Sequence, residues 1–206
     1  MSLNFAAIPE VLYNPKSAFG KIKDATMMEG IILAVIFGAV SFGIAYLLSM
    51  GAFGIFGGAL LTYLAIAFVI GVVGFVAVGY LSALLAQALG GKSNPGTTIG
   101  FLGYVSVIGL IQTIVFNLLG SVGISAGFSA ASFSGAGLTL VFSLLFLVWM
   151  VWAGGTAVAE ANGLDLVKGA ATYFISSLVV GIVMAAIVAA VMYPLLGQAF
   201  AAGLAG

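Results

Sequence analysis

Gly30–Gly91 reads GIILAVIFGAVSFGIAYLLSMGAFGIFGGALLTYLAIAFVIGVVGFVAVGYLSALLAQALGG, and none of its 62 residues is Asp, Glu, Lys or Arg. The hydrocarbon core of a bilayer is about 30 Å thick and is crossed by about 20 helical residues. The run is therefore long enough to cross twice, with a glycine-rich turn at Gly51–Gly58 between the crossings. After Lys92 a second uncharged run of 67 residues, 93–159, accommodates two more crossings, and the last 38 residues, 169–206, accommodate one. Two, two and one make five.

The composition of the whole chain agrees with that count. Of 206 residues, 64% are hydrophobic and 5% charged, and the mean hydropathy is +1.35. A soluble domain carries about 25% charged residues, so this chain lacks the means to cover a water-facing surface. The expected class is all-α: a polytopic integral membrane protein of five transmembrane helices. Zero net charge removes the electrostatic footprint of a nucleic-acid binder. There is no Cys and no His, which excludes disulfides, thiol catalysis, imidazole relays and the usual haem and zinc centres. No catalytic residue, metal or cofactor is expected.

The ten charges also orient the chain. Glu10, Lys16, Lys21, Lys23, Asp24 and Glu29 precede the first run, Lys92 separates the two long runs, and Glu160, Asp165 and Lys168 precede the last. If each long run goes across and back, every charge falls on one side. Lysine marks the cytoplasmic side. The N-terminus and both charged loops are then cytoplasmic and the C-terminus is outside. Glycine, proline and aromatic punctuation predicts spans at about 31–50, 59–89, 98–119, 138–158 and 169–193, the last stopped by Pro194. Residues 1–29 form a cytoplasmic segment ahead of a transmembrane domain over 30–206. The small-residue stretch 120–137 reads as an outer loop, either a linker or a segment dipping into the membrane. Tyr80, Tyr104 and Tyr173 fall toward the inner interface, where amphipathic rings sit well.

Within the N-terminal segment, Asn14-Pro15 is a helix start, with Asn as cap and Pro at the first helical position. Winding Asn14–Ala25 at 100° per residue gathers Ala18, Phe19, Ile22 and Ala25 on one side. The pattern predicts an amphipathic helix lying in the inner interface, anchored by Phe19 and Ile22, with its lysines reaching toward headgroups. A cytoplasmic helix packed under the bundle is the alternative.

In the loop Gly90–Thr98, glycines end the second span and threonine caps the third; the spacing of a phosphate-cradling Gly-x4-Gly-Lys-Ser/Thr loop is missing. In Glu160–Lys168, Asn162-Gly163 makes a turn and Asp165 caps the fifth span, leaving Glu160 to pair with Lys92 or Lys168. Lys92, Glu160, Asp165 and Lys168 make the candidate interaction face. Inside the spans the notable polar residues are Gln112 and Asn117, expected to hydrogen-bond between helices. Small residues repeat every four positions at Gly30/Ala34/Gly38 and Gly181/Ala185/Ala189, predicting close helix contacts.

Three stretches together resemble a known family: Leu12-Tyr13-Asn14-Pro15-Lys16-Ser17-Ala18-Phe19-Gly20-Lys21-Ile22; Gly103-Tyr104 at the head of the third span; and Trp149 and Trp152 leading into Glu160-Ala161-Asn162-Gly163-Leu164. Their order resembles the prokaryotic branch of the Yip family, five-span proteins named for interacting with Ypt/Rab GTPases. The resemblance implies a five-helix bundle with a cytoplasmic N-terminus. Eukaryotic relatives hold partners through a longer cytosolic region; here about 29 residues precede the first span, so a Rab-type GTPase is not expected as partner. The expected surroundings are the lipid bilayer and other membrane proteins or a second copy of the chain, in the cell membrane. The expected role is non-catalytic, organising proteins or lipids at the cytoplasmic leaflet. A channel for small neutral solutes and an accessory subunit of a larger complex are the alternatives.

Overall fold

The computed structural model describes residues 3–50, 57–125 and 133–204. They form seven helices: α1 (Ala7–Tyr13), α2 (Pro15–Lys21), α3 (Met27–Met50), α4 (Gly57–Ala88), α5 (Pro95–Ser125), α6 (Phe133–Asn162) and α7 (Leu166–Leu204). Helices α3 to α7 are each long and apolar enough to cross a membrane. They exceed the spans read from sequence. α5 and α6 run into the Gly/Ser-rich stretch from both sides, because glycine is tolerated in membrane helices; residues 126–132 lie outside the described ones. α7 continues past Pro194, as transmembrane helices can where the freed carbonyl is satisfied locally.

α5 is the central helix. Half of its apolar window is buried within the protein, against 11–22% for the other four spans. Around it α3, α4, α7 and α6 follow one another, each packed on the next, and the two short helices cover the remaining flank, α1 on α5 and α2 on α6.

The α3–α5 crossing is the closest in the bundle. A Cβ on Gly103 would collide with the backbone of Gly30, and one on Gly100 with the carbonyls of Ala25 and Thr26. Glycine lets the two backbones touch, which maximises dispersion contact where lipid offers no hydrophobic drive for helix association. Gly38 meets the Phe68 ring on α4, so the row Gly30/Ala34/Gly38 packs inside the chain, as the four-residue spacing suggests. The second row differs: Gly181, Ala185 and Ala189 are exposed on the outside of α7. On the α6–α7 side, Gly154 accommodates the flat ring of Tyr173, and Gly155 the backbone of Ala170. Tyr104 and Tyr173 are thus buried in protein rather than set in an interfacial belt.

Candidate functional site

The N-terminal segment, the α4–α5 connection and the α6–α7 connection meet at one end of the bundle, and that end carries the charges. Its organising residue is Asn162, the last of α6 and fully buried. Asn162 Oδ1 accepts from the backbone N–H of Asn94 at 3.0 Å, and Nδ2 donates to Thr98 Oγ1 at 3.0 Å and to the Val158 carbonyl at 2.8 Å. Its own carbonyl accepts the Lys92 N–H at 2.7 Å. Gly163 follows with φ +69, the left-handed conformation that ends a helix, and the Leu164 N–H returns to the Ala159 carbonyl. Asn94 in turn caps α5 by accepting from Thr97 N–H, and Thr98 Oγ1 donates to the Asn94 carbonyl at 2.7 Å. The two connections are therefore clasped by a saturated polar network. Sequence reading assigns Asn162-Gly163 only a turn.

Lys92, Glu160, Asp165 and Lys168 are all exposed around this clasp. Asp165 caps α7 by accepting the Lys168 N–H at 2.9 Å, and its other oxygen lies 3.9 Å from Lys168 Nζ. The clasp brings the Lys92 main chain against α6. It does not bring the Glu160 carboxylate to a lysine: among the described residues Glu160 has no ion-pair partner.

The N-terminal segment is built differently from the lipid-anchored helix expected. The helix expected over Asn14–Ala25 starts where predicted but ends at Lys21 as α2, and a second helix, α1, precedes it; the two join at Asn14, whose side chain accepts the Ser17 N–H at 3.3 Å with Pro15 opening α2. Phe19 is 1% exposed and stacks on Phe101 of α5, centroids 4.8 Å apart and planes 13° off parallel; Ile22 is 6% exposed. These two anchors face protein, not lipid, because the flank of α5 offers them a better-packed apolar surface than disordered acyl chains do. The Leu12 carbonyl accepts from Trp149 Nε1 at 3.0 Å and the Asn4 N–H donates to the Tyr104 hydroxyl at 3.1 Å. Trp149 is thirteen residues from the end of α6, roughly 20 Å up the helix. The segment thus rises along the bundle instead of lying flat beneath it.

Lys21 Nζ donates to Glu10 at 2.6 Å, closing α1 onto α2. This bond, with a smaller contribution from Ser17, holds the Glu10 carboxyl below the usual carboxylate range. Thr26 and Glu29 cap α3 reciprocally, Thr26 N–H to the Glu29 carboxylate at 2.9 Å and Glu29 N–H to Thr26 Oγ1 at 3.3 Å. Thr26-x-x-Glu29 is a capping-box spacing that was open to sequence reading. Glu29 is buried and lines, with Asn4, Lys21, Asp24 and Tyr104, a polar cavity of about 150 Å³.

Within the spans, Asn117 donates to the Thr113 carbonyl of its own helix at 2.8 Å. The interhelical bond expected of it is replaced by that local one, which needs no partner helix. Gln112 lines a cavity of about 460 Å³ between α5, α6 and α7. Among the described residues no three carboxylates group in a way that would hold a metal ion.

Compared with protein families, residues 10–189 match the family described as Yip1 domain. Neither the curated proteins nor the solved structures give a match.

Proposed function

The chain belongs to the Yip1-domain family, and from that membership we propose that it is a non-catalytic membrane protein that organises other membrane proteins at the cytoplasmic leaflet. The observation that carries this reading is the clasped polar end: Asn162 fixes two connections relative to each other, and Lys92, Glu160, Asp165 and Lys168 stand exposed upon them. Two lysines and two carboxylates cancel, which disfavours plain attraction to anionic lipid and favours pairing with a partner of matched charges. The lysine distribution supports placing this end in the cytoplasm of a cell-membrane protein. A Rab-type GTPase fits poorly as partner, since the segment before α3 commits its apolar face to α5 and α6.

The test is a native-membrane pull-down in mild detergent, comparing the wild type with a variant carrying Lys92→Gln, Glu160→Gln, Asp165→Asn and Lys168→Gln. Loss of specific partners with an unchanged unfolding temperature supports the reading. Retention of every partner moves the contact into the bilayer. A liposome flux assay showing solute permeation would replace this reading with that of a conduit.

A further inference from the structure

The bundle contains three cavities that share walls. One, about 340 Å³, lies between α3, α4 and α5 and includes Gly38, Gly71, Phe75, Ser106 and Gly109. A second, about 190 Å³, lies at the centre and shares Gly71, Phe75 and Ser106 with the first. The third, the 460 Å³ cavity lined by Gln112, shares Met150, Tyr173 and Ser177 with the second. They make one crevice with two apolar lobes and a waist. Ser106 is eleven residues into α5, Ser177 eleven into α7 and Met150 twelve from the end of α6, so the waist sits roughly 17 Å from the polar end, level with Trp149 and the Leu12 carbonyl that it bonds. Phe174 and Leu178, on the outer wall of the larger lobe, are 43% and 52% exposed, so this lobe opens sideways toward hydrocarbon and not toward water.

We infer that this crevice binds a neutral two-chain lipid of the diacylglycerol type, one chain in each lobe and its ester groups at the waist. Three observations select that chemistry. None of the lining residues is charged, so an anionic or zwitterionic headgroup would have nothing to meet there. Ser177 Oγ, buried on the wall shared by the waist and the larger lobe, makes no hydrogen bond beyond an interaction with the Tyr173 side chain, and the Gln112 amide lines that same lobe. Both can donate to an ester carbonyl, the acceptor that hydrocarbon cannot supply. Two lobes on either side of a polar waist match two chains on one glycerol; a single-tailed neutral amphiphile would fill one. Gly71 and Gly109 leave open space where a Cβ would stand, keeping the smaller lobe wide.

The test uses a diacylglycerol bearing a diazirine in one acyl chain beside its ester group, in phosphatidylcholine vesicles containing the full-length protein. Photolabelling is expected at residues of the waist, such as Phe75 and Met150, and unlabelled diacylglycerol is expected to compete about tenfold more effectively than added phosphatidylcholine, equivalent to roughly 1.4 kcal/mol. Gly109→Leu, which fills open space, and Ser177→Val, which removes the donor, should each reduce waist labelling while the unfolding temperature holds. Equal competition by phosphatidylcholine, or label confined to outward residues such as Val148 and Ile182, would overturn the inference and leave an ordinary lipid-facing groove. Waist labelling displaced by a single-tailed quinone but not by diacylglycerol would also overturn it.

Discussion

Asn162 is the residue on which the polar end depends most, since its buried side chain accepts from one N–H and donates to two oxygens while its backbone carbonyl accepts another N–H. Asn162→Ala removes the bonds to the Asn94 N–H and to Thr98 Oγ1, which keeps its own donation to the Asn94 carbonyl, and each hydrogen bond lost costs about 0.5–1.5 kcal/mol net. The expected result is a loss of roughly 2–3 kcal/mol, read as a lowered midpoint of denaturant unfolding in detergent micelles. An unchanged midpoint would mean that the clasp contributes nothing. A pair of glycines gives a second test. Gly103→Ala must push α5 off the Gly30 backbone, while Gly109→Ala meets open space and lowers the helical cost of glycine by up to about 1 kcal/mol. The first should unfold at clearly lower temperature than wild type and the second at equal or higher temperature; equal effects would contradict the crossing described. In sequence, Gly103 and Gly109 look alike. What separates them is which neighbour lies beyond the missing Cβ, and that is a property of the fold.

At the scale of elements, the α1–α2 pair shows both the reach and the limit of periodicity. Winding at 100° correctly groups Ala18, Phe19, Ile22 and Ala25, and all four are buried. Amphipathicity says that a face is apolar; it does not say whether lipid or protein receives it. Here protein does, and Phe19→Ala should cost about 3 kcal/mol of docking free energy. It should appear as faster hydrogen exchange throughout α1 and α2, with α3 to α7 unaffected. A segment held by lipid would keep its protection in the variant when transferred between detergents of similar thickness. The Glu10–Lys21 bond adds a pH dependence. Because the folded-state carboxyl lies below its unfolded value, the bond stabilises the docked pair above the unfolded pKa, and the contribution disappears as pH falls through the lower, folded one. The chain has no native Cys, so a nitroxide at Tyr13→Cys reports this directly: mobility should rise modestly on acidification, and Glu10→Gln should hold it at the acidified wild-type level at every pH, flattening the profile.

At the scale of the molecule, ten charges were enough to count five spans, because a bilayer tolerates so few charged positions that their spacing encodes the topology. They imply that cysteines at Ser93 and Leu164 label from one side of the membrane and one at Ala202 only from the other; labelling of all three from the same side would refute five crossings. The charges could not reveal the long contacts, whose partners are apolar rings and backbone groups without local signature. One of these sets an order of assembly. Leu12 bonds Trp149 across 137 residues and Asn4 bonds Tyr104 across 100, so at a synthesis rate of about 5–20 residues per second the segment before α3 waits roughly 7–27 seconds for its seat on α6. During that interval its stacking face has no complete receptor. Its docking is therefore a late event in biogenesis, and a ribosome-bound chain stopped before α6 should still present α1 and α2 to proteases and quality-control factors that the finished protein excludes.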